Sequence, residues 1–550
     1  MAASCNQAVP AHKQQVVPLN WAHSRRRALH PFTFLRTVKS MMPDSVHPAT
    51  GKAPANSRTA RSIAWNYAGY AYQIGINIGL TSYIVRRISV AEYGLLLFVM
   101  SLSATLYLLD LGISSVLVQA YVEASASAGK DRLNDLLSTT FLSLTALGSI
   151  GVLIFSGLAI SLPGPFNIPH PYLHEASAIF LLAGLVIQFG LPGIAIEHVF
   201  LSSSRFDRTN QVQLVTCTVQ MVLSVLALAA GYRIVALAII QLITVLLRFL
   251  LLAFALPASV PGARLSIARF NRELLKPLVR LSKWAFLSNL STYLFDMLVW
   301  LILGSLGSMQ EAALFGLASK APKQLWNLVD KGANVTLPLL SQLSAENDPV
   351  HLRQMYLKTQ KLIFGAVVPF IVLGCLFARP IIQVWAGSQY VGAAVVMRWL
   401  LVAAFSHAIA YSSDLLLYAC GEVKRAATIS LWSSAISILA ALLLVSRFGA
   451  AGIAAGVALA QLLVNCTWYT VAACRLSGTS AAELFRVLFD GLPWPLAALA
   501  AEIAVISSIS ARLSSLWLLV AALAGGLTYI TIWGTRTALP IYRDYREAVA

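Results

Sequence analysis

Charged residues are scarce in this chain, and acidic residues are the scarcer sign. Of its 550 residues only 11% are charged, with 22 Asp and Glu against 40 Lys and Arg. A soluble domain carries about a quarter charged residues, so the composition excludes one large soluble core. The hydrophobic share of 58% and the mean hydropathy of +0.73 instead indicate a protein that crosses a membrane many times.

Motifs for catalysis and for cofactor binding are also missing from the sequence. The six cysteines are scattered without a CxxC or a metal-ligand spacing, so we interpret them as ordinary thiols. No Gly-rich nucleotide loop occurs, which argues against ATP hydrolysis within this chain. The longest predicted outward loops, 163–176 and 379–392, are short for a membrane enzyme that must hold sugars or metals. We therefore expect no enzyme activity, no cofactor and no metal site.

The net charge of +18 has an ordinary explanation in a membrane protein. In a soluble protein it would suggest a nucleic-acid partner, but here Lys and Arg hold cytoplasmic loops inside the cell. With the N-terminus inside, the predicted inside segments contain 29 basic residues and the outside loops contain six. This bias predicts cytoplasmic N- and C-termini and an even number of spans. Contact with anionic membrane lipids is a second use for the same charges.

Fourteen candidate spans follow a polar N-terminal tail. Residues 1–61 include a basic cluster at 24–32 and lack the apolar core of a signal peptide, so we expect a disordered cytoplasmic tail. Translation from Met41 or Met42 is an alternative for the first forty residues. The spans are predicted at 62–86, 92–122, 136–162, 177–203, 211–230, 234–256, 284–305, 311–340, 362–384, 393–419, 427–446, 449–473, 487–509 and 514–534.

Three weak similarities at nearly one offset indicate an internal repeat. The paired segments are EYGL at 92–95 with LFGL at 314–317, RTNQVQL at 208–214 with RAATISL at 425–431, and Gln241 with Gln461. Halves of six spans enter the membrane from the same side, so we predict an all-α membrane protein with two parallel repeats around a central cavity. The predicted domains are a first half at 62–256, a basic cytoplasmic linker at 257–283, a second half at 284–475, and two additional helices with a cytoplasmic C-terminus at 476–550.

The eighth predicted span carries a load of charge that lipid would not tolerate. Wound as a helix, its polar residues gather within an arc of about 120°; they are Lys320, Lys323, Gln324, Asn327, Asp330, Lys331 and Asn334. A Lys or Asp at the bilayer centre costs roughly 3 kcal/mol, so this face must contact another helix or a watery cavity. Three lysines against one aspartate leave a positive surplus, which indicates an anionic ligand. Snorkelling of Lys320 and Lys323 to the membrane boundary is the alternative.

Weaker polar stripes occur in three other spans. They comprise Asn66, Tyr70, Gln73 and Asn77 in the first, Asn289, Thr292, Tyr293 and Asp296 in the seventh, and His407, Tyr411, Asp414 and Tyr418 in the tenth. The candidates for substrate binding are Lys320, Lys323, Gln324, Asn327, Lys331, Asn77, Tyr293 and Arg248, the last being a cation with no local acid. The candidates for ion coupling are Asp296, Asp330, Asp414 and His407. A structural interhelical hydrogen bond or ion pair is the alternative for each of them.

Two further polar positions inside the spans receive a structural interpretation or stay open. Glu197 with His198 is more typical of a satisfied interhelical contact than of a proton relay. Asp110, in the segment LLDLGISS, is compatible with either a structural or a functional role.

Residues 79–123 resemble the opening of bacterial polysaccharide flippases, within the multidrug/oligosaccharidyl-lipid/polysaccharide exporter superfamily. In that family an ARxLxxxEYG turn leads into a DxGxxxxLxR helix. The matching residues are Arg86, Glu92, Tyr93, Gly94, Asp110 and Gly112, whereas Gln119 stands near the position of the last basic residue. Segments 301–343 and 378–394 are similar to later parts of the same family.

The resemblance implies an alternating-access flippase in the bacterial inner membrane. Its substrate would be a polyprenyl-diphosphate-linked oligosaccharide for O-antigen, capsule or exopolysaccharide, and a polysaccharide polymerase and a chain-length regulator would be partners. A peptidoglycan-precursor flippase and a cation-coupled multidrug exporter are alternatives within transport. A membrane glycan polymerase or ligase is the alternative from another class.

Overall fold

The computed structural model describes residues 56–127, 129–161, 166–203, 205–260, 262–334, 336–509 and 514–541. Within these ranges, the side chains of 56–68, 106, 126–127, 129–130, 281, 283–285, 287–289, 291–294, 331–332, 334, 507 and 509 are outside the description. The predicted N-terminal tail therefore lies almost wholly outside the described residues.

The described residues form helices and connecting turns, with no strand among them, which confirms the all-α prediction. The helices are α1 Asn56–Val85, α2 Val90–Thr105, α3 Ser114–Ser127, α4 Gly129–Ser161, α5 Leu173–Ser202, α6 Phe206–Ala229, α7 Ile234–Ser259, α8 Arg272–Ser305, α9 Met309–Asn334, α10 Leu337–Ala345, α11 Pro349–Leu376, α12 Ala378–Ala386, α13 Ala393–Ala419, α14 Val423–Val464, α15 Thr470–Ser477, α16 Ala481–Phe489, α17 Pro493–Ile509 and α18 Ser515–Trp533.

Fewer helices than predicted are long and apolar enough to cross a membrane by composition. Within the described residues nine pass that test, or ten if the bent pair α16 and α17 is one span, so the count of fourteen is not confirmed. One of the nine, Val423–Ser477, is 55 residues long, and a helix of that length would extend roughly 80 Å. It breaks at Gly449, where φ is +54°, so this one stretch contains the two spans predicted at 427–446 and 449–473.

The second predicted span is also broken, and Asp110 lies at the break. The chain leaves α2 through a 3₁₀ turn that ends at Asp110, and Leu111 and Gly112 both take positive φ before α3 begins. The Asp110 carboxylate accepts hydrogen bonds from the Gly112 amide at 2.6 Å and from the Ser114 hydroxyl. It thus satisfies free donors at the start of α3, as an N-terminal capping residue does. The structural interpretation of Asp110 is the one these bonds support.

Helices α1 to α7 and α8 to α15 each pack mainly among themselves. In the first group α4 packs on α5, α5 on α7, and α6 on both α1 and α7. In the second group α13 packs on α9, α11 and α14, while α8 packs on α14. The two groups meet chiefly where α2 lies against α8 and α9. We call them the first and second halves.

Matching capping boxes open α2 in the first half and α9 in the second. Ser89 and Glu92 exchange backbone-to-side-chain hydrogen bonds of 2.8 and 3.2 Å, and Ser308 and Glu311 do the same at 3.1 and 3.2 Å. The two glutamates are 219 residues apart. This offset agrees better with the 217 and 220 of the other sequence matches than the 222 between EYGL and LFGL.

The linker between the halves is shorter than predicted and is bound to the first half. It runs from residue 260 to residue 271, because α7 extends to Ser259 and α8 starts at Arg272. Buried side chains of α4 hold its backbone through four hydrogen bonds of 2.8 to 3.1 Å; these side chains are Asn134, Ser138 and Thr139. Arg269 adds an ion pair to Asp131 at 3.0 Å, and hydrogen bonding to that carboxylate raises the pKa of the Arg269 guanidinium.

The additional helices α17 and α18 pack on each other, and α18 also packs on α11 and α12 of the second half. A Cβ built at Gly365 of α11 would lie 2.2 Å from the indole nitrogen of Trp533, so only glycine admits this close approach. The Tyr529 hydroxyl donates to the Gly365 carbonyl at 3.1 Å. These contacts fix the additional helices to the second half.

Candidate functional site between the halves

One edge of the polar face of α9 reaches across to α1 in the first half. The Lys320 ammonium donates to the Thr81 hydroxyl at 2.7 Å, and the Tyr70 hydroxyl donates to the Gln324 side-chain oxygen at 3.1 Å. Both contacts are partly buried. Since α1 and α9 belong to different halves, these polar groups lie at the boundary where the repeat predicts a cavity.

The opposite edge of the same face turns toward helices of the second half. Lys323 is exposed and interacts electrostatically with Asp296 of α8. Asn327 is also exposed, between the two edges. The pairing of a span-eight lysine with Asp296, which the sequence left as one of two options, is therefore the one found for Lys323.

The candidates for ion coupling on α9 and α13 form one cluster inside the second half. The Asp330 carboxylate lies 2.8 Å from His407 Nε2. His407 also packs against the rings of Trp326 at 5.1 Å and Tyr411 at 5.2 Å. Asp414, one turn further along α13, interacts electrostatically with both His407 and Asp330. Asp296 lies near Lys323 and is the one ion-coupling candidate found outside this cluster.

The charges of the polar face are separated rather than in positive surplus. Among the described side chains of this region, two lysines face three aspartates: Lys320, Lys323, Asp296, Asp330 and Asp414. The lysine bound to α1 has only a neutral hydroxyl as its described hydrogen-bond partner, whereas Asp330 has a histidine. The free positive charge is thus found at the boundary between the halves, and the acids lie mainly behind it.

The prediction that Arg248 has no acid nearby is wrong. Arg248 of α7 forms an ion pair with Glu197 of α5 at 2.7 Å and donates to the side chain of Gln213 of α6. The acid comes from a helix 51 residues earlier in the chain, so inspection of one span could not reveal it. Glu197 is the satisfied interhelical contact that the sequence favoured, and Arg248 is its partner.

Several predicted residues contribute no described contact to this site. The side chains of Lys331 and Tyr293, and those of Asn66, Asn289 and Thr292, lie outside the description. Asn77 is exposed on α1, one turn before Thr81. Their assignments stay predictions.

A set of hydrogen bonds closes the boundary at the end where α1 stops. The Trp385 indole donates to the Ile78 carbonyl at 3.0 Å, and Ser82 donates to the Trp385 carbonyl at 2.6 Å. Gln389 donates to the Val85 carbonyl at 2.9 Å. We call these residues of α1, α12 and the following turn the outer closure, after the side on which the charge bias places them.

A second contact extends the outer closure to the loop between α4 and α5. The backbone and side-chain nitrogens of Asn167 donate to the carbonyls of Gly304, Ser305 and Gly307 at 2.8 to 3.0 Å. These carbonyls belong to the end of α8 and the turn after it, so the loop of the first half caps a helix end of the second.

The two glycines of the family motif lie where the halves approach most closely. A Cβ at Gly94 of α2 would lie 1.7 Å from the carbonyl oxygen of Met309, the first residue of α9. A Cβ at Gly112 would lie 2.8 Å from the backbone nitrogen of Phe286 in α8. Between them in the motif pattern, Glu92 is 2% exposed and pairs with Arg233 at 2.7 Å. The motif thus describes an interhelical contact surface.

Two residues of the site escaped the sequence interpretation. Thr81 lies four residues after Asn77, so it continues the polar stripe of α1 by one more turn and could have been found in that way. Trp385 lies in an apolar segment, and nothing in the local pattern distinguishes its donor role from ordinary packing.

The fold and the polar boundary between two helical halves define a membrane transport protein. At 15% identity the chain matches a structure described as the lipid II flippase MurJ in an inward closed conformation, with a TM-score of 0.66, covering 89% of this chain and 100% of that one. It matches an inward-facing multidrug resistance MATE transporter of the MOP superfamily at 16% identity with a TM-score of 0.62, covering 74% and 95%. An outward-facing MATE transporter gives 0.52, at 15% identity and 74% and 93% coverage. No curated protein sequence matches the chain.

Residues 84–395 match the model of a protein family described as polysaccharide biosynthesis protein. The match spans more than half of the 550 residues, so the chain belongs to that family. Family and fold together place it among multi-pass membrane transporters and flippases, not among enzymes.

Proposed function

We propose that this protein flips polyprenyl-diphosphate-linked oligosaccharide units from the cytoplasmic to the periplasmic leaflet of a bacterial inner membrane. The units would be building blocks of O-antigen, capsule or exopolysaccharide. Membership of a polysaccharide biosynthesis family supports the glycan, and the likeness to flippase and exporter folds supports the movement across the bilayer.

The observation that carries the proposal is the Lys320–Thr81 hydrogen bond at the boundary of the halves. A diphosphate and its sugars cannot enter hydrocarbon, because charged and polar groups lose their hydration there. An ammonium whose described hydrogen-bond partner is a neutral hydroxyl can exchange that hydroxyl for a phosphate oxygen, which accepts a stronger charge-assisted hydrogen bond. Gln324, Asn327 and Tyr70 offer further polar contacts for sugar hydroxyls near it.

The outer closure supports a direction for the cycle. With both termini cytoplasmic, as the charge bias predicts, the hydrogen bonds of Trp385 and Asn167 close the periplasmic end. The higher TM-score to an inward-facing than to an outward-facing MATE structure agrees with this conformation. The substrate head would enter from the cytoplasmic leaflet, and breaking the outer closure would release it on the other side.

Energy for the cycle would come from an ion bound at the Asp330–His407–Asp414 cluster. Carboxylates and a histidine inside the membrane are costly unless they serve a pathway for protons or ions. The cluster lies on α9, the same helix that carries Lys320, so ion binding and substrate binding can influence each other through one rigid element. The sequence favours neither protons nor sodium.

A peptidoglycan-precursor flippase is the second candidate, and chain coverage favours it over a multidrug exporter. The MurJ match spans 89% of this chain against 74% for the MATE structures. The longer match is consistent with a shared pair of additional helices, which a lipid-linked substrate could require.

The test is a flipping assay in proteoliposomes. Fluorescent polyprenyl-diphosphate oligosaccharide and fluorescent lipid II are reconstituted separately, and a membrane-impermeant quencher reports the fraction that becomes accessible. We expect the protein to flip the oligosaccharide lipid and Lys320→Ala to reduce the rate at least tenfold. Lys424→Ala, an exposed lysine at the start of α14, is the matched control and should behave as wild type.

Each other result of this assay points to a different function. Preferential flipping of lipid II would support the second candidate. Equal flipping by wild type and Lys320→Ala would contradict the role of the boundary site. Accumulation of cytoplasmic lipid-linked repeat units after gene deletion, reversed by the wild-type gene, is the expected cellular counterpart.

A further inference from the structure

The additional helices contain a groove that the transport site does not use. It lies between α17 and α18, has a volume of about 420 Å³, and is lined by Trp494, Ala497, Ala498, Ile532, Thr535 and Arg536. The Arg536 guanidinium lies 5.9 Å from the centre of the Trp494 ring, within the range of a cation–π contact. Arg536 forms no ion pair with an acid among the described residues. The groove therefore ends in a cation whose charge is not neutralised by an acidic side chain.

An irregular turn in α18 produces this arrangement. Residues Gly534–Ala538 form a π-helical turn, an insertion that often occurs at functional sites. The following threonine, Thr537, is buried, and a Cβ at Gly491 in the turn before α17 would lie 2.8 Å from its hydroxyl. With Thr537 directed inward, the preceding Arg536 is exposed on the groove side.

The walls of the groove suit a lipid chain better than a soluble anion. The small side chains of Ala497 and Ala498 leave a channel that continues from Arg536 along α17. On the other side of the same turn, a second furrow of about 330 Å³ is lined mainly by apolar or small residues, among them Ile530, Gly534 and Leu539. A phosphate at Arg536 would thus have apolar furrows beside it that point along the helices.

The position along the helices matches the head-group level of one leaflet. Trp494 is the second residue of α17 and is 69% exposed, and tryptophan is enriched at membrane–water interfaces. The neighbouring helix α16 is bent by 54° from α17 and exposes Phe485 and Phe489. With the topology of the proposed function, this level is the cytoplasmic leaflet, where anionic lipids attract basic residues.

We propose that the α17–α18 groove binds the phosphate of an anionic membrane phospholipid, with Arg536 as the phosphate ligand and Trp494 as its support. The bound phospholipid anchors the additional helices, and through Gly365 the second half, at the inner leaflet. This site is separate from the substrate boundary at Lys320, and it is expected to be occupied in every step of transport.

The test uses tryptophan quenching by brominated lipids, with the full chain in vesicles. The quenching that is lost in Trp494→Phe measures the lipid beside Trp494. We expect brominated phosphatidylglycerol to quench this component about fivefold more effectively than brominated phosphatidylcholine at equal mole fraction, since one basic residue near the surface contributes about that factor. Arg536→Gln should reduce the preference to about one, whereas Arg536→Lys and the control Arg475→Gln should retain it.

Three results would overturn the assignment. The first is equal quenching by the two lipids in the wild type, and the second is an unchanged preference in Arg536→Gln. The third is loss of the preference on addition of a competitor at a tenth of the phospholipid concentration: polyprenyl diphosphate would assign the groove to the carrier lipid, and inorganic diphosphate would assign it to a soluble anion. Because flipping is not the readout, failure here is distinguishable from failure of the proposed function.

Discussion

Lys320 and Thr81 are 239 positions apart in the chain and are joined by a hydrogen bond of 2.7 Å. One end of this bond is an ammonium of α9, and the other is a hydroxyl of α1. It connects the two halves at the place where a substrate must pass, so the same contact can hold the closed state and yield to an incoming anion.

Two variants separate these roles of the Lys320–Thr81 pair. Thr81→Val removes the hydroxyl and leaves the ammonium, so we expect substrate affinity to be retained or raised while the closed state is weakened. Lys320→Ala removes the charge, and a charge-assisted hydrogen bond contributes about 1.5–3 kcal/mol, so we expect affinity for the diphosphate lipid to fall roughly 10- to 100-fold. Binding measured by microscale thermophoresis distinguishes them; equal loss in both variants would show that the bond is structural only.

Trp385→Phe is predicted to loosen the outer closure. It removes the donor to the Ile78 carbonyl while retaining an aromatic ring, and one neutral hydrogen bond contributes about 1 kcal/mol. The open population at this end should rise about fivefold, measured as faster hydrogen exchange at the end of α1 and in α12. Trp432→Phe, which alters an exposed tryptophan of α14, is the control. Unchanged exchange in α12 would contradict the closure.

Gly94→Ala is predicted to separate the halves, because the new methyl would overlap the Met309 carbonyl. An exposed Gly→Ala change in a helix normally stabilises by about 1 kcal/mol. Gly79→Ala is the matched control, since no atom lies within 4 Å of its new Cβ. We expect the apparent melting temperature to fall for Gly94→Ala and to hold or rise for Gly79→Ala. The same result for both glycines would contradict the close approach.

Glu197→Gln is predicted to destabilise the first half more than the double variant Glu197→Gln/Arg248→Gln. Removing one partner leaves an uncompensated charge in the membrane, whereas removing both leaves none. Because the two side chains are 25% and 36% exposed, we expect about 2 kcal/mol for the single change, below the 3–5 kcal/mol of a fully buried pair. Thermal melts of the single and double variants form the required cycle. A double variant less stable than the single would show that Arg248 acts elsewhere.

Asp330→Asn is predicted to uncouple transport from an ion gradient. The change keeps the shape of the side chain and removes the negative charge beside His407. We expect flipping without a gradient to continue, while stimulation by a sodium or proton gradient is lost. Asp348→Asn, at the exposed start of α11, is the control. Continued stimulation in Asp330→Asn would remove the cluster from the coupling mechanism.

The period of the sequence was sufficient to find the polar face of α9, because a helix repeats every 3.6 residues whatever surrounds it. The partners of that face were another matter: Thr81 and His407 lie on helices distant in sequence, and no local pattern encodes which helices become neighbours. The same limit explains why Arg248 was interpreted as unpaired. Composition also overcounted spans that pass the apolar test, since the polar stripes that mark α1, α8 and α9 as functional also lower their hydropathy.

The bonds that hold residues 260–271 to α4 change what the linker can do mechanically. A connector fixed along its length stores no slack, so relative movement of the halves has to be absorbed where α8 begins, at Asn271 and Glu273. Two co-expressed fragments divided just after Asn271 would keep this strap with its binding partner. Fragments divided after Ser259 would leave Asn134, Ser138 and Thr139 with donors and acceptors that face an empty track.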